Sequence, residues 1–188
     1  MARLPGIDAP EQVVCHVDMD CFYAACERLR DPALDGEPVV VGMGYETGET
    51  HGAVATASYE AREHGVESAM SITEALKRLP RREDGTDTGG PTGVYRPVDM
   101  DFYKAVSEDV RSVLSRTAET LRNVSIDEAY LDLGELEWSD AAAFGRSLKH
   151  EIESEAGVVA SVGIAPDMTT AKLASDTDKP DGLVVVEP

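Results

Sequence analysis

Apolar and polar positions along the chain predict short buried strands separated by amphipathic helices. Unbroken apolar runs of about four to eight residues are typical of strands that are covered on both faces. Mainly apolar segments of about this length occur at Val13–Val17 (VVCHV), after the turn in Gly36–Gly42 (GEPVVVG), and again in VYRPV, VVASVGIA and GLVVVEP. The segment Asn123–Leu133 (NVSIDEAYLDL) has apolar positions on both sides of two acids and predicts a buried β-hairpin.

Helices are predicted where apolar residues recur every three or four positions and a capping residue precedes them. The longest covers Met100–Leu121, and a second covers Asp140–Glu155 behind a candidate cap at Ser139. Ser71 and Glu74 have the spacing of a capping box. Shorter helices are predicted after Asp20, from near Ser58 to Gly65, after Ser71 and in DMTTAKLAS.

The order of these elements predicts an α+β fold. Strands and helices mix without strict alternation, which favours helices packed on a mostly antiparallel sheet. The segment Arg81–Gly93 is poor in apolar residues and rich in Gly, Thr and Asp, so a mobile surface loop is predicted there. With 188 residues the chain can form one sizeable domain, or one domain with a small appendage.

The charge balance adds a prediction about the setting in which the protein works. The chain has 36 Asp and Glu residues against 17 Lys and Arg, a net charge of −19, and only 5 of the basic residues are Lys. The acids are spread over the whole length, so they do not form an isolated tail. A uniformly acidic surface is typical of proteins that work in a very salty cytoplasm, where salt screens the repulsion among their negative charges. We therefore predict a halophilic, cytoplasmic protein. In such a protein the excess of acidic residues would hide the positively charged surface that usually identifies a nucleic-acid binder.

The cysteines and the apolar runs narrow the class of protein further. Cys15, Cys21 and Cys26 lie close together, but their spacing matches no zinc pattern and their odd number argues against a disulfide framework. We expect reduced, partly buried thiols. The sequence has no apolar signal core and no apolar run of membrane-spanning length, which predicts a soluble protein without membrane contact.

Three carboxylates that follow strand patterns form the first candidate site. Asp127 and Glu128 lie in the predicted hairpin, and Asp18 comes at the end of the first strand. If these strands are neighbours, the three acids converge at one sheet edge, where their repulsion calls for a cation. Oxygen ligands suit Mg²⁺ or Mn²⁺, and two ions about 3.5–4 Å apart would clamp a phosphoryl displacement. From the residues alone a solvated acidic turn is the commoner explanation, and both stay open.

Four motifs together carry a resemblance to a known family. The segments VDMDCFYAACE, GAVATASYEAREHGV, SIDEAYLDL and VGIAPDMTTAKLASDTDKPDG resemble the successive motifs of the Y-family, or translesion, DNA polymerases, close to the DNA polymerase IV branch. They occur in the family's order, and the resemblance covers nearly everything from Val13 to Pro188. It implies a polymerase palm and a small fingers subdomain.

The resemblance also implies a division of the chain. We expect an N-terminal extension (1–12), the first part of the palm (13–35), the fingers (36–80), a flexible loop (81–93) and the second part of the palm (94–188). The thumb and little-finger domains of the family are expected to be absent.

The metal site follows from the same resemblance. Asp18, Asp127 and Glu128 match the family's catalytic metal-binding acids, and the backbone carbonyl of Met19 would complete the shell of one ion. Two Mg²⁺ ions are implied, with Mn²⁺ as an alternative. Asp20, by contrast, is interpreted as a structural helix cap.

A nucleotide pocket is implied next to these acids. Tyr23 matches the steric gate that leaves no room for a ribose 2′-hydroxyl, although Phe22 and Tyr23 could also be core aromatics. The N–H groups of Cys21, Phe22 and Tyr23 could hold phosphate oxygens at a helix N-terminus. The matching triphosphate ligands are Thr56, Tyr59, Arg62 and Lys172.

Further positions bear on fidelity and DNA contact. The small residues Ala53–Ala55 match the strand over the nascent base pair, which implies low fidelity and tolerance of damaged templates. Lys179 is either a DNA backbone contact or a plain turn residue. Where the family usually has a basic residue, this chain has Asp167 and Met168, so one phosphate contact is expected to be missing. The loop at 81–93 is longer than is usual in the family.

The predicted function is therefore that of a DNA-directed DNA polymerase core that adds a dNTP to a primer 3′-hydroxyl during damage bypass. Primer–template DNA and dNTP are the expected partners, with a sliding clamp bound through C-terminal regions that this chain lacks, and the chain is expected to be a monomer. A non-catalytic or truncated DNA-repair module on the same fold is the alternative. A nucleotide cyclase is less favoured, because Tyr23 would obstruct the ribose hydroxyls that a cyclase needs.

Overall fold

The computed structural model describes residues 12–84, 89–118, 120–134 and 136–188, and these form two compact units. Unit 1 combines the chain up to Asp20 with the segment from Ser107 to Pro188. Unit 2 is the intervening segment from Cys21 to Val106. Segments from before and after unit 2 in the sequence therefore contribute to unit 1, and unit 2 interrupts it.

The secondary structure of the described residues consists of strands and helices, with two short 3₁₀ turns at Pro32–Leu34 and Arg82–Asp84. The strands are β1 (Val14–Met19), β2 (Val39–Met43), β3 (Ala53–Ala57), β4 (Val94–Pro97), β5 (Thr120–Asn123), β6 (Glu128–Asp132), β7 (Ala160–Ala165) and β8 (Leu183–Val185). The α-helices are α1 (Phe22–Arg30), α2 (Tyr59–Glu63), α3 (Ile72–Arg78), α4 (Met100–Thr117), α5 (Trp138–Ala156) and α6 (Met168–Thr177).

Unit 1 is built on a sheet with the strand order β5-β6-β1-β7-β8. Neighbouring strands are antiparallel except β7 and β8, which are parallel. The central strands β1 and β7 are buried along their whole length, because both are paired on either side and carry mainly apolar residues. Strand β5 forms the edge and is mostly exposed.

Helices α5 and α6 cover opposite faces of this sheet. A Cβ built on Gly163 of β7 would lie 2.1 Å from the carbonyl oxygen of Ala171 in α6, whereas one built on Gly145 of α5 would meet the side chains of Leu183 and Ile164. Successive strand residues point to opposite faces. Because β1 pairs with β7 in the register His16 to Gly163, His16 and Asp18 lie on the face covered by α6.

Unit 2 contains a smaller sheet with the order β3-β2-β4, in which β2 and β3 are antiparallel and β2 and β4 are parallel. A buried apolar cluster joins this sheet to α2 and α3 through residues such as Val40, Val54 and Ile72. Helices α2 and α3 begin after Ser58 and Ser71, whose hydroxyls accept hydrogen bonds from the N–H groups of the first turn. The cap at Ser71 was predicted, whereas for Ser58 only a helix start nearby was predicted.

The predicted α+β class with mostly antiparallel sheets is confirmed. Three boundaries were predicted wrongly. Helix α4 ends at Thr117 rather than Leu121, because Thr120–Asn123 pairs with β6 as an edge strand. Helix α5 starts at Trp138, with Glu137 rather than Ser139 as its N-cap, and α1 has Cys21 rather than Asp20 in that position.

The segment predicted as a mobile loop is described in part. Arg82–Asp84 forms a 3₁₀ turn, and Arg81 makes an isolated bridge with Gly93, while residues 85–88 lie outside the described residues. So does nearly all of the predicted N-terminal extension at 1–12. No helix in the part of the chain that the structure describes combines the length and apolar character needed to cross a membrane.

Candidate active site

The strand register of unit 1 places the predicted acids next to one another. β1 and β6 run antiparallel with Asp18 directly opposite Glu128. One residue further along, the N–H of Met19 donates a hydrogen bond of 3.0 Å to the carbonyl of Asp127. The sheet therefore fixes the backbones of all four predicted metal ligands at one end of β1.

Asp18 is a buried carboxylate, with only 8% of its surface exposed. Burial raises the pKa of Asp18 to about 6, against the opposing effect of Lys179. The Nζ atom of Lys179 lies 2.8 Å from Oδ1 of Asp18 and 2.9 Å from Oδ1 of Asp176. Burial disfavours an unpaired negative charge on Asp18, and the nearby ammonium group of Lys179 stabilises that charge.

Glu128 has its own positive partner on the helix that covers this face. The Nζ atom of Lys172 in α6 lies 2.7 Å from Oε1 of Glu128. Partial burial alone would raise the pKa of Glu128, but the hydrogen bond and charge of Lys172, together with smaller contributions from His16 and Asp18, outweigh it and lower that pKa. Lys172, which was predicted as a phosphate ligand, therefore contacts Glu128 of the predicted acid pair Asp127–Glu128.

Asp127 is oriented by the turn that precedes β6. Its Oδ1 accepts a hydrogen bond of 2.5 Å from the hydroxyl of Ser125. Among the described residues, no three His, Cys, Asp or Glu side chains are grouped so as to hold a metal ion. The donor chemistry nevertheless fits a hard divalent cation, because the three acids and the Met19 carbonyl offer only oxygen ligands.

Asp20 has a structural place in unit 1. Its carboxylate accepts hydrogen bonds from the hydroxyl of Ser161 at 3.0 and 2.9 Å and from the N–H of Asp181 at 2.8 Å. These contacts tie the end of β1 to β7 and to the turn before β8. These contacts give Asp20 a structural role, as predicted. It is not the cap of helix α1, however, because Cys21 is the N-cap residue.

His16 is a site neighbour that the sequence gave no reason to select. The hydroxyl of Ser175 donates to the Lys172 carbonyl at 2.8 Å, so Nδ1 of His16 donates to the Ser175 oxygen at 2.7 Å. His16 is fully buried, and burial lowers its pKa to about 4, which keeps the ring neutral. This chain of hydrogen bonds joins β1 to the turn of α6 that carries Lys172.

Unit 2 contains the predicted steric gate. The ring of Tyr23 in α1 stacks on the ring of Tyr103, with centroids 4.6 Å apart and an interplanar angle of 19°. The Tyr103 hydroxyl donates a hydrogen bond of 2.7 Å to the buried carboxylate of Glu27. Phe22 is buried in the core, whereas Tyr23 is half-buried. Cys21 precedes α1 in a left-handed conformation (φ 46°).

The other predicted ligands of unit 2 lie on β3 and α2. The guanidinium of Arg62 lies over the ring of Tyr59, 4.6 Å from its centroid, and its Nε donates to the carbonyl of Ala57 at 3.0 Å. Thr56 is half-buried in β3. The strand also carries Ala53–Ala55, so these predicted residues lie on two consecutive elements.

Comparisons with known proteins agree with these features. Residues 17–176 match the model of the impB/mucB/samB family. The DNA polymerase IV of Halobacterium salinarum is 63% identical over 188 residues, covering 99% of this chain and 46% of that protein. The DNA polymerase IV of Methanoculleus marisnigri is 45% identical over 178 residues, covering 94% of this chain and 46% of that protein.

Solved structures give the same result. The crystal structure of DinB from Sulfolobus solfataricus superposes with a TM-score of 0.83 at 34% identity, over 94% of this chain and 48% of that one. An insertion ternary complex of Dbh DNA polymerase superposes with a TM-score of 0.83 at 35% identity, over 94% of this chain and 49% of that one.

The fold, with Asp18 facing Glu128 on neighbouring strands, is of the Y-family DNA polymerase class, as the four motifs predicted. The chain belongs to the impB/mucB/samB family, whose model it matches over most of its length. It spans about half the length of the relatives it matches.

Proposed function

We propose that this chain is the catalytic core of a translesion DNA polymerase, which transfers a deoxynucleotide from a dNTP to a primer 3′-hydroxyl. The observation that carries the proposal is the pairing of Asp18 with Glu128 across β1 and β6 in a chain of this family. The relatives that are named DNA polymerase IV are about twice as long, so activity, substrates and partners are inferred here.

The acids and the Met19 carbonyl would hold two Mg²⁺ ions, or Mn²⁺ in their place. Such ions would lower the pKa of the primer 3′-hydroxyl and would neutralise negative charge on the triphosphate. Asp18 and Glu128 contribute the negative charge of the site from the rigid sheet. Asp127 adds a third carboxylate from the adjoining turn, next to the hydrogen bond from Met19 to its carbonyl.

The remaining predicted residues have roles in binding and selection. Lys172 would bind triphosphate oxygens, which would compete with Glu128 for its ammonium group. Tyr59 and Arg62 would bind phosphate with Thr56, and Tyr23 with the N–H groups of Cys21 and Phe22 would select and hold the deoxynucleotide. The small side chains of Ala53–Ala55 leave room for a distorted base pair, which accords with damage bypass.

The proposed setting is the cytoplasm of a halophile, with primer–template DNA and dNTP as partners. The net charge of −19 supports it, and the relative that is 63% identical comes from Halobacterium salinarum. The DNA and nucleotide are supported by the likeness to a polymerase solved as an insertion ternary complex.

Primer extension in molar KCl tests this proposal. We expect the 188-residue chain to add at least one template-directed deoxynucleotide with Mg²⁺ or Mn²⁺. Replacement Asp127→Ala removes several kcal/mol of charge stabilisation and should slow addition at least about a hundredfold. Its matched control is Asp109→Ala, which removes an exposed carboxylate from α4.

The outcomes separate the possibilities. Equal rates for Asp127→Ala and the parent chain would contradict the assignment of the acids, as would loss of the helical circular-dichroism signal in that variant. No addition by the parent chain would contradict a self-sufficient polymerase core.

A further inference from the structure

Arg122 is an exposed positive charge on the edge strand β5 of unit 1. It pairs with Tyr130 across β5 and β6, and Tyr130 pairs with His16 across β6 and β1. Directly opposed residues on paired antiparallel strands point to the same face of a sheet. Arg122 therefore lies on the face that α6 covers, which is also the face of Asp18 and Glu128.

The partner of Arg122 differs from the partners of most basic residues in unit 1. Among the lysines and arginines that the structure describes in this unit, Arg122 and Arg146 are the two without an ion pair to a carboxylate. Nη1 of Arg122 instead lies 3.8 Å from Sδ of Met168, at the start of α6. A thioether is a weak acceptor and carries no charge. In a chain with a net charge of −19, Arg122 thus presents a local positive charge to an anion.

The acid next to Met168 in the sequence has another function. Asp167 is the N-cap of α6, and its carboxylate accepts hydrogen bonds from the N–H of Thr170 at 3.0 Å and from the Thr170 hydroxyl at 2.7 Å. These bonds hold the carboxylate over the first turn of its own helix. The charge of Arg122 is therefore retained beside the helix start.

A second positive charge lies one helical turn further along α6. Met168 and Lys172 are four residues apart, so they share a face of the helix and are about 6 Å apart along its axis. The Tyr130 hydroxyl is close enough to respond to both charges, because burial raises the pKa of Tyr130 whereas Lys172 and Arg122 oppose that rise. Arg122 and Lys172 thus form a short positive row beside the candidate acids.

We propose that Arg122 binds a backbone phosphate of the primer strand, close to the end at which the strand is extended. The inference rests on the proposed function, in which the nucleotide held at Lys172 is joined to the primer 3′ end at Glu128. The primer must then pass close to these residues, and Arg122 offers the planar two-pronged donor that phosphate oxygens accept. With Arg122 in this role, the phosphate contact expected to be missing at Asp167 and Met168 is supplied from β5.

Binding of a labelled primer–template, followed by fluorescence anisotropy, tests the proposal on the full 188-residue chain. We expect Arg122→Gln to raise the dissociation constant at least about fivefold, and to lower the slope of its logarithm against log[KCl] by about 0.7–0.9, the loss of one phosphate contact. Arg122→Lys keeps the charge and should retain the slope.

The matched control is Arg146→Gln. Arg146 is exposed on α5, which covers the opposite face of the sheet, and it is the other described arginine of unit 1 without an ion pair. The substitution therefore makes the same change in net charge away from the proposed contact. We expect it to change the dissociation constant less than about twofold and to leave the slope unchanged. An equal effect of Arg122→Gln and Arg146→Gln would overturn the proposal.

Returning the charge from a second residue tests the place of the contact. Met168→Lys in the Arg122→Gln background should restore the slope, because one positive charge is again available to the phosphate. Met168 is half-buried against Val14 and Ala165, and a lysine stem can cover the same apolar surface while its ammonium group reaches water. An unrestored slope in the folded double variant would overturn the position proposed for the phosphate.

A modified primer identifies the strand. Methylphosphonate linkages near the primer 3′ end carry no charge, so Arg122→Gln should have little further effect on the dissociation constant of this DNA. An undiminished effect with this primer would overturn the assignment to the primer strand. So would a rise in the KM for dNTP with unchanged DNA binding in Arg122→Gln, because the phosphate would then belong to the nucleotide.

Primer extension by the same proteins separates this inference from the proposed function. If the parent chain adds a deoxynucleotide but Arg122→Gln leaves DNA binding and its slope unchanged, the phosphate contact is wrong and the polymerase assignment stands. If Arg122→Gln weakens DNA binding in a chain that adds no nucleotide, the contact stands and the self-sufficient core is contradicted. A parent chain that binds no primer–template contradicts both. Circular dichroism at each KCl concentration checks folding, and Arg122→Ala replaces Arg122→Gln if the latter is unfolded.

Discussion

At the scale of single residues, the predicted selectivity of Tyr23 depends on what lies behind its ring. The ring stacks on Tyr103, whose hydroxyl is held by the buried carboxylate of Glu27. Stacking and a buried hydrogen bond together restrict the rotamers of both tyrosines. A ring that cannot move aside is what steric exclusion of a 2′-hydroxyl requires.

We therefore expect Tyr23→Ala to admit ribonucleotides. Removing the ring opens space for the extra hydroxyl, and the ratio of deoxynucleotide to ribonucleotide incorporation should fall at least about tenfold. Single-nucleotide primer extension with matched dNTP and rNTP measures this ratio. Tyr23→Phe keeps the ring and serves as the control. An unchanged ratio in Tyr23→Ala would assign the gate to another residue.

At the scale of elements, the contact between β7 and α6 is made possible by Gly163. A Cβ at this position would lie 2.1 Å from the Ala171 carbonyl oxygen and 2.4 Å from the Ser175 nitrogen. Both atoms belong to the backbone of α6, so no side chain can move away to make room. The helix that carries Lys172 can approach the sheet only where the strand has no side chain.

Gly163→Ala is accordingly expected to destabilise unit 1. Forcing α6 away from β7 should cost at least about 2 kcal/mol in the free energy of unfolding, within the range for overpacked cores. Urea denaturation followed by circular dichroism measures it. Gly36→Ala is the reference: φ is +69° there but nothing lies within 4 Å, so only backbone strain of about 1 kcal/mol is expected. A smaller loss for Gly163→Ala than for Gly36→Ala would contradict the steric argument.

Which elements could be predicted from the sequence depended on whether their signal was local. Strands β1 and β7 are mainly apolar segments and were predicted. Strand β5 was included in a helix, because the sequence TLRN has one apolar residue and becomes a strand only by pairing with β6. Tertiary pairing of this kind overrides local propensity.

The same distinction applies to the candidate site. The three acids were selected because they follow strands and match family motifs. The contacts of Lys179 and His16 were not predicted, since they join residues far apart in the sequence, such as His16 and Ser175. Nothing in the spacing of KPDG indicates a partner in β1.

At the scale of the whole molecule, the dominant property is the excess of negative charge. The charge of −19 favours expansion, and the ion pairs on the surface, such as Arg116 with Glu155, offset little of it. The interior, by contrast, contains three buried cysteines with free thiols. Burial raises the pKa of Cys26 to about 12, so that thiol stays protonated while the chain is folded.

Stability should therefore rise with salt. Raising KCl from about 0.1 M to about 1 M shortens the screening length from about 10 Å to about 3 Å and weakens the repulsion among the acids. Thermal unfolding by circular dichroism should show a higher Tm, and labelling of the three cysteines with a thiol reagent should slow in parallel. Sucrose at equal osmolality is the control for solvent exclusion. A flat or falling Tm would contradict the halophilic interpretation.

The interruption of unit 1 by unit 2 has a consequence for synthesis of the protein. Strand β1 leaves the ribosome before the other described strands, yet it is the middle strand of a sheet whose other members all follow Val106 in the sequence. Unit 2 is complete before either neighbour of β1 has been made, so it can fold while β1 waits unpaired. The central contacts of unit 1 have high sequence separation, which slows folding. Strand β1 is thus translated well before its partners, and its apolar side chains must be kept from aggregating until those partners have been made.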